Sequence, residues 1–334
     1  MGTTNKLIPI LLVFVLFTAC NKSRFEINTS ENRVEVKIQR FDKDLMALDT
    51  TNLHAGIQKL YAGYKEFLPA FSSNILVVPA TDTAEVARLI GNFLKDTTFS
   101  KVNRKTIETF NNVSDIEKKV SDAFTYIHHY FPGIKLPEIY FYVSGFNRPV
   151  MLGENFVALG TDMYLGADYP AYQSTTYHYL LYNMRRELVP VDLVSATLFR
   201  MFKNNLGDER LVDNMIYRGR VMYLLSVFMP DEKIENLMGY SPEQMKWCGK
   251  FEKQIWTAII DQKDLFSSDQ QLIRKYLNEA PFTAPISQES PGRLGTWIGY
   301  RIVKSYMDNN DISITGLMDK TNSQEILENS MYRP

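Results

Sequence analysis

The stretch Glu138-Ile139-Tyr140-Phe141-Tyr142-Val143 constrains the fold more than any other part of the chain. After the first residue every side chain is aromatic or β-branched, which suits a buried sheet surface and suits a helix poorly. The turn-forming Ser144-Gly145-Phe146-Asn147 follows, then two short apolar runs, Pro149–Leu152 and Phe156–Leu159. Three strands at such close spacing predict a small, mostly antiparallel sheet around residues 138–160. Val34–Gln39 alternates apolar and polar residues and reads as one further strand.

The rest has the period of helices. Asp49-Thr50-Thr51 offers an N-cap before Leu53, Ile57, Leu60 and Tyr61. Val86, Ile90 and Leu94 predict a helix over 84–94. Val120, Phe124 and Ile127 predict another over 116–131, stopped by Pro132-Gly133. From Tyr172 onward, helices are expected over 172–188, 191–204, 208–229, 242–263 and 294–308. The class is α+β and helix-dominated, with a single globular domain over 33–334 and a helical half over 172–334.

Residues 1–19 stand outside that domain. Lys6, the apolar run Leu7–Phe17 and the small pair Thr18-Ala19 have the layout of a signal peptide. The run is too short to span a bilayer as a helix, which takes about 20 residues. Cys20 follows the small pair directly, as in lipoproteins, where this thiol carries the diacylglyceryl group. Residues 20–32 then read as a lipidated N-terminus and tether. The mature chain is placed on a membrane surface outside the cytoplasm, periplasm-facing, with inner or outer membrane left open. Acyl chains tether a protein without embedding it.

Other chemistries are excluded one by one. A formal net charge of −1 gives no basic field for nucleic acid. Cys248 is the one cysteine left once Cys20 is acylated, so no intramolecular disulfide forms; its setting, Met245-Lys246-Trp247-Cys248, is that of a buried small hydrophobe. The four histidines, His54, His128, His129 and His178, lack the spacing of a metal site, and His-Glu-x-x-His is absent. There is no nucleophile elbow and no phosphate-binding loop. No cofactor is expected.

Three segments combine charge with unusual neighbours. Asp162 and Asp168 flank Met163-Tyr164-Leu165-Gly166-Ala167, where carboxylates bind an ion or a sugar or, more often, cap a turn. Asp213 and Tyr217 share one helix face in Leu211–Arg220, beside Arg218 and a mid-helix Gly219 that signals close packing. In Glu289-Ser290-Pro291-Gly292-Arg293, Ser290 reads as an N-cap. Gly292, Gly295 and Gly299 form a smooth stripe, and Arg293 either holds a carboxylate ligand or pairs with an internal acid such as Glu289.

Together these segments resemble the gliding motility lipoprotein GldB family over essentially the whole chain. The resemblance rests on His129-Tyr130-Phe131-Pro132, the 139–143 strand, Leu159–Gly166, Met215–Arg220, Gly239-Tyr240-Ser241, Gln254-Ile255-Trp256 and Glu289–Arg293. It implies an envelope lipoprotein that works with the gliding machinery and its linked secretion apparatus. Relatives occur in non-gliding bacteria too, so a motility phenotype does not follow from the sequence. The layout is also similar to a zincin-type metallopeptidase scaffold that has lost its metal site, since neither Tyr177–Tyr182 nor Val191–Ser195 supplies the ligands.

The leading expectation is a non-enzymatic binding or assembly component of the envelope, its partners being the membrane and the gliding and secretion proteins. The alternative is a zincin-like hydrolase or peptide-binding relic with a pocket near Asp162, Tyr217, Arg218 and Arg293. A lipid- or glycan-binding module, suggested by the aromatic content alone, ranks last.

Overall fold

The computed structural model describes residues 24–207 and 209–334, so the segment read as a signal peptide and Cys20 lie outside the described residues. Strand β1 (Ile38–Arg40) leads into α1 (Phe41–Met46), α2 (Leu53–Gly63), α3 (Phe67–Phe71), α4 (Thr83–Lys95), α5 (Thr97–Thr109) and α6 (Ser114–Tyr130). Strands β2 (Glu138–Tyr142), β3 (Val150–Leu152) and β4 (Phe156–Gly160) follow. The second half holds α7 (Tyr172–Thr175), α8 (Val189–Met201), α9 (Leu211–Phe228), α10 (Ile234–Met238), α11 (Pro242–Asp261), α12 (Gln270–Leu277), α13 (Leu294–Asn309), α14 (Ile314–Asp319) and α15 (Ser323–Ser330). The class is α+β and helix-dominated, as expected.

The sheet corrects one expectation. Its order is β1-β2-β4-β3, with β1 and β4 both parallel to β2 and only β3 antiparallel to its neighbour. It is mixed rather than mostly antiparallel. The physical reason is that β3 passes to the outer edge and the chain returns between β3 and β2, so β4 runs in the direction of β2. Parallel strands are covered on both faces, and these are. Ile139, Phe141, Val157 and Leu159 join the larger core, while Tyr140, Tyr142, Phe156 and Ala158 join a second one. The period-two alternation of the strands thus feeds two helical layers.

The second core is aromatic. Phe41, Phe67 and Phe71 are fully buried, and Phe67 stacks on Tyr140 with ring centroids 5.0 Å apart. Burying one such ring contributes about 1.5–3 kcal/mol. On the other face, α9 is buried around most of its circumference, Asp213 and Arg220 included, which marks a central helix. It packs on α6, α8, α10, α12, α13, α14 and α15. Against α13 the approach is backbone to backbone: a Cβ at Gly219 would lie 2.2 Å from the Gly299 carbonyl oxygen, and one at Gly299 would lie 1.9 Å from the Met215 oxygen. Close helix packing is therefore what both glycines serve.

Four arginines outside the sheet share one role. The last carbonyls of a helix lack amide partners and carry the negative end of its dipole. Arg24 Nη2 donates to Met307 O at the end of α13 (2.7 Å), and Arg218 Nη1 to Leu277 O at the end of α12 (2.7 Å). Arg293 Nη2 donates to Met238 O at the end of α10 (2.7 Å). Arg220, wholly buried, donates through Nη1 to Leu317, Met318 and Lys320 carbonyls around the end of α14.

The span read as tether includes chain that is docked. From Arg24 on, the backbone lies on the body: Phe25 is buried, and its carbonyl accepts from the Tyr130 hydroxyl (2.9 Å). The Val34, Val36 and Ile38 amides donate to Thr125, Ser121 and Glu117 side chains of α6. Those side-chain bonds take the place of ladder bonds, which is why the first strand is shorter than its alternating pattern.

Two helix expectations are also corrected. Residues 172–188 form α7 and two 3₁₀ runs, His178–Asn183 and Arg186–Leu188, because the Met184 carbonyl accepts from Gly166 and Leu165 bridges Arg185. Ser290 does not cap α13. Its Oγ donates to Ser287 O and accepts from Thr283, and α13 begins after Arg293, whose φ is +60°. By contrast, Ser241 and Gln244 form a reciprocal capping box that starts α11 where Gly239-Tyr240-Ser241-Pro242 predicts it.

Among the described residues, no helix is long and apolar enough to cross a membrane.

A candidate ligand-binding cleft

A cleft of about 240 Å³ opens beyond the end of β4, between the 178–188 segment, α8, α9 and the start of α13. Its walls are apolar: Met163, Leu180, Met184, Leu188, Val191, Phe199, Met222 and Leu237. Polar groups are interspersed among them. Asp192 and Tyr164 lie together, the tyrosine hydroxyl donating to Asp192 Oδ2 at 2.7 Å. Arg218, Arg293, Glu279, Asn183, Asn236 and the hydroxyls of Thr176, Ser195 and Thr296 complete the polar lining.

Each charge has a defined environment. Removal from water pushes the Asp192 carboxyl up to about 6, with the Tyr164 bond and the nearby Arg293 pulling the other way and Glu279 adding to the rise. Burial also raises the Tyr164 hydroxyl well above its ordinary value. Arg293 Nη1 pairs with Glu279 Oε1 at 3.0 Å. Gly239, with φ +64°, leaves room for this guanidinium, since a Cβ there would lie 2.8 Å from Arg293 Nη2. Arg218 has no carboxylate partner among the described residues. Burial and the like charge of Arg293 both pull its pKa down. Thr296 Oγ1 and Asn183 Oδ1 are buried without a hydrogen-bond partner.

Of the residues singled out in the sequence, Arg218 and Arg293 meet here and the others do not. Asp162 is fully buried and caps the turn after β2, its carboxylate accepting from Ser144 N (2.8 Å) and Phe146 N (2.7 Å). That turn carries φ +68° at Gly145 and +60° at Phe146, which the capping bonds hold in place. Asp213 accepts from Arg210 and Ser323 at the far end of α9. The Tyr217 hydroxyl donates to Phe202 O at 2.9 Å. Asp168 and Glu289 are exposed outside the cleft.

Asp192, Glu279, Asn183 and Thr296 are among the cleft residues that sequence reasoning did not single out. The signal for Asp192 was a lone acid in Val189-Pro190-Val191-Asp192-Leu193-Val194. Thr296 carries no comparable signal.

All four histidines are exposed. Among the described residues, no group of three or more His, Cys, Asp or Glu side chains is placed to hold a metal ion. Cys248 is buried in the core, which pushes its thiol up to about 12.

A small mixed sheet between two helical layers, with a cleft bearing buried charges beyond its strand ends, defines a helix-dominated α+β protein. The family is set by the chain as a whole. It belongs to the gliding motility protein GldB family, whose model matches residues 22–334. No curated protein and no solved structure matches the chain. The expected likeness to a zincin-type scaffold therefore finds no support, and the Tyr177–Tyr182 segment it invoked lies in a 3₁₀ run rather than an α-helix.

Proposed function

We propose that the chain is a non-catalytic binding or assembly component of the cell envelope, anchored through lipid on Cys20 and working with the gliding machinery and its linked secretion apparatus. The observation that carries this reading is where the body begins. Family resemblance starts at residue 22, and from Arg24 the backbone is fastened to α13 and α6. Cys20 and Arg24 are four residue steps apart, at most about 15 Å of chain. An acyl anchor on Cys20 thus holds the face bearing Arg24, Asn310 and Ile312 against the bilayer. The protein works at the membrane surface rather than at a distance from it.

The cleft supports binding over catalysis. Its lining offers no histidine, cysteine or lysine. Burial holds the Tyr164 hydroxyl on Asp192 in its neutral, weakly nucleophilic form, and Ser195 makes no side-chain hydrogen bond to a base among the described residues. The peptide-binding alternative keeps one specific support, since Arg218 and Arg293 do share a cleft.

The anchoring is tested by membrane fractionation of cells producing wild-type and Cys20→Ala protein. The wild type is expected with the membranes and the variant in the soluble fraction. A Cys20→Ala protein wholly retained on membranes would overturn the reading.

A further inference from the structure

We propose that the cleft binds the free carboxylate of a ligand with a short apolar tail, with Arg218 as its receptor. Four observations converge on that chemistry. The first is charge: Glu279 is paired with Arg293, and Asp192 is bonded to the neutral Tyr164 hydroxyl. No carboxylate contacts the Arg218 guanidinium among the described residues, and Glu279 acts on it only at longer range. A half-buried cation beside a second one is costly, and a single negative charge relieves it.

The second is geometry. Nη1 of Arg218 is spent on Leu277 O, and its Nε and Nη2 have no partner among the described residues. That edge of the guanidinium is the two-donor face that matches the two oxygens of a carboxylate. A dianion such as phosphate would bring twice the negative charge of a carboxylate beside Asp192 and Glu279, which already match the two guanidiniums in number.

The third is Thr296. It is more than nine-tenths buried, it lines the cleft, and its hydroxyl has no partner. Most buried polar groups in folded proteins are satisfied, so this hydroxyl, like the Asn183 side chain in the same cleft, is open to a ligand. The fourth is size and surface. About 240 Å³ walled by Met184, Leu188, Val191 and Phe199 accepts an apolar group of one amino-acid side chain, not a sugar or a nucleotide. Either a free branched-chain acid or the C-terminal residue of a peptide presents this chemistry.

The test is calorimetric titration of the full chain with N-acetyl-leucine, its carboxamide, inorganic phosphate and a hexapeptide ending in leucine. N-acetyl-leucine is expected to bind, with the carboxamide at least tenfold weaker and phosphate weaker still. Arg218→Met is expected to abolish binding. Because that variant also removes the cap on α12, Thr296→Val is the second probe: about fivefold weaker binding with an unchanged melting temperature. Tighter binding of the hexapeptide identifies a chain terminus as the source, and weaker binding identifies a free acid; both sustain the proposal. Equal affinity for acid and carboxamide, preference for phosphate, or no binding of acid or peptide overturns it. None of these outcomes bears on the Cys20 anchor.

Discussion

At the scale of single residues, buried charge decides most of what is specific to this chain. Asp192 shows how. Its folded-state pKa, about 6, lies above the ordinary value for aspartate, near 4. Between about pH 4 and 6 the folded protein therefore binds more protons than the unfolded one. The stability this group contributes is full below pH 4 and is lost as pH rises through 6. Tyr164, Arg293 and Glu279 face it and set the balance. Asp192→Asn keeps an acceptor for Tyr164 and removes the cost, so it is expected to raise stability at pH 7.5 by up to roughly 3 kcal/mol. Thermal melts at pH 7.5 and pH 4 check this: the gain should vanish at the lower pH, and an equal offset at both would contradict it.

Arg220 is the opposite case. Its guanidinium is buried without a carboxylate, and desolvation pulls its pKa down to about 10. Three carbonyls around the end of α14 and the Asn205 amide oxygen hold it. Arg220→Ala leaves those carbonyls unpaired and opens a cavity, so a loss of about 3–5 kcal/mol is expected in urea denaturation. A change under 1 kcal/mol would show the cap to be dispensable. Sequence reading saw the segment Met215–Arg220 but not this role, because the capped carbonyls lie about a hundred residues downstream.

At the scale of elements, the α9–α13 contact is the seam most sensitive to a single atom. A methyl at position 299 would meet Met215 backbone at 1.9 Å, and backbone cannot swing aside as a side chain can. Gly299→Ala is expected to destabilise by about 3 kcal/mol or more, at the upper end of overpacking costs. Gly63→Ala, with open space around it, is the control and should change stability by less than about 0.5 kcal/mol. Equal melting temperatures for the two variants would contradict the packing account. The glycine spacing at 292, 295 and 299 made this seam legible, since small residues three and four apart on a helix admit a neighbour. Its three glycines meet different partners, however: Gly292 meets Ala280, Gly295 meets Tyr276 and Leu277, and only Gly299 meets α9.

The same scale shows where periodicity misleads. Long helices over 211–228, 242–261 and 294–309 stand close to their expected bounds because their apolar stripes are unbroken. The 172–188 stretch failed because Leu180, Met184 and Leu188 there line the cleft, and Arg185 bridges Leu165, instead of forming one helix face. Strand direction failed for a topological reason. Short connections usually join antiparallel neighbours, and nothing in Val150–Leu152 announces that it stands at the edge.

At the scale of the whole molecule, anchor and body form one argument. On the proposed acylation of Cys20, the docked segment from Arg24 onward leaves a short leash and would select which face meets the bilayer. The ion-paired Arg24 and its carbonyl partners at the end of α13 are what hold that segment. Neutron reflectometry on the acylated mature chain at a supported bilayer tests this most directly. The account predicts a protein layer starting within about 15 Å of the lipid headgroups, and no layer for Cys20→Ala. A wider water gap beneath the wild type, or an unchanged layer with Cys20→Ala, would contradict it.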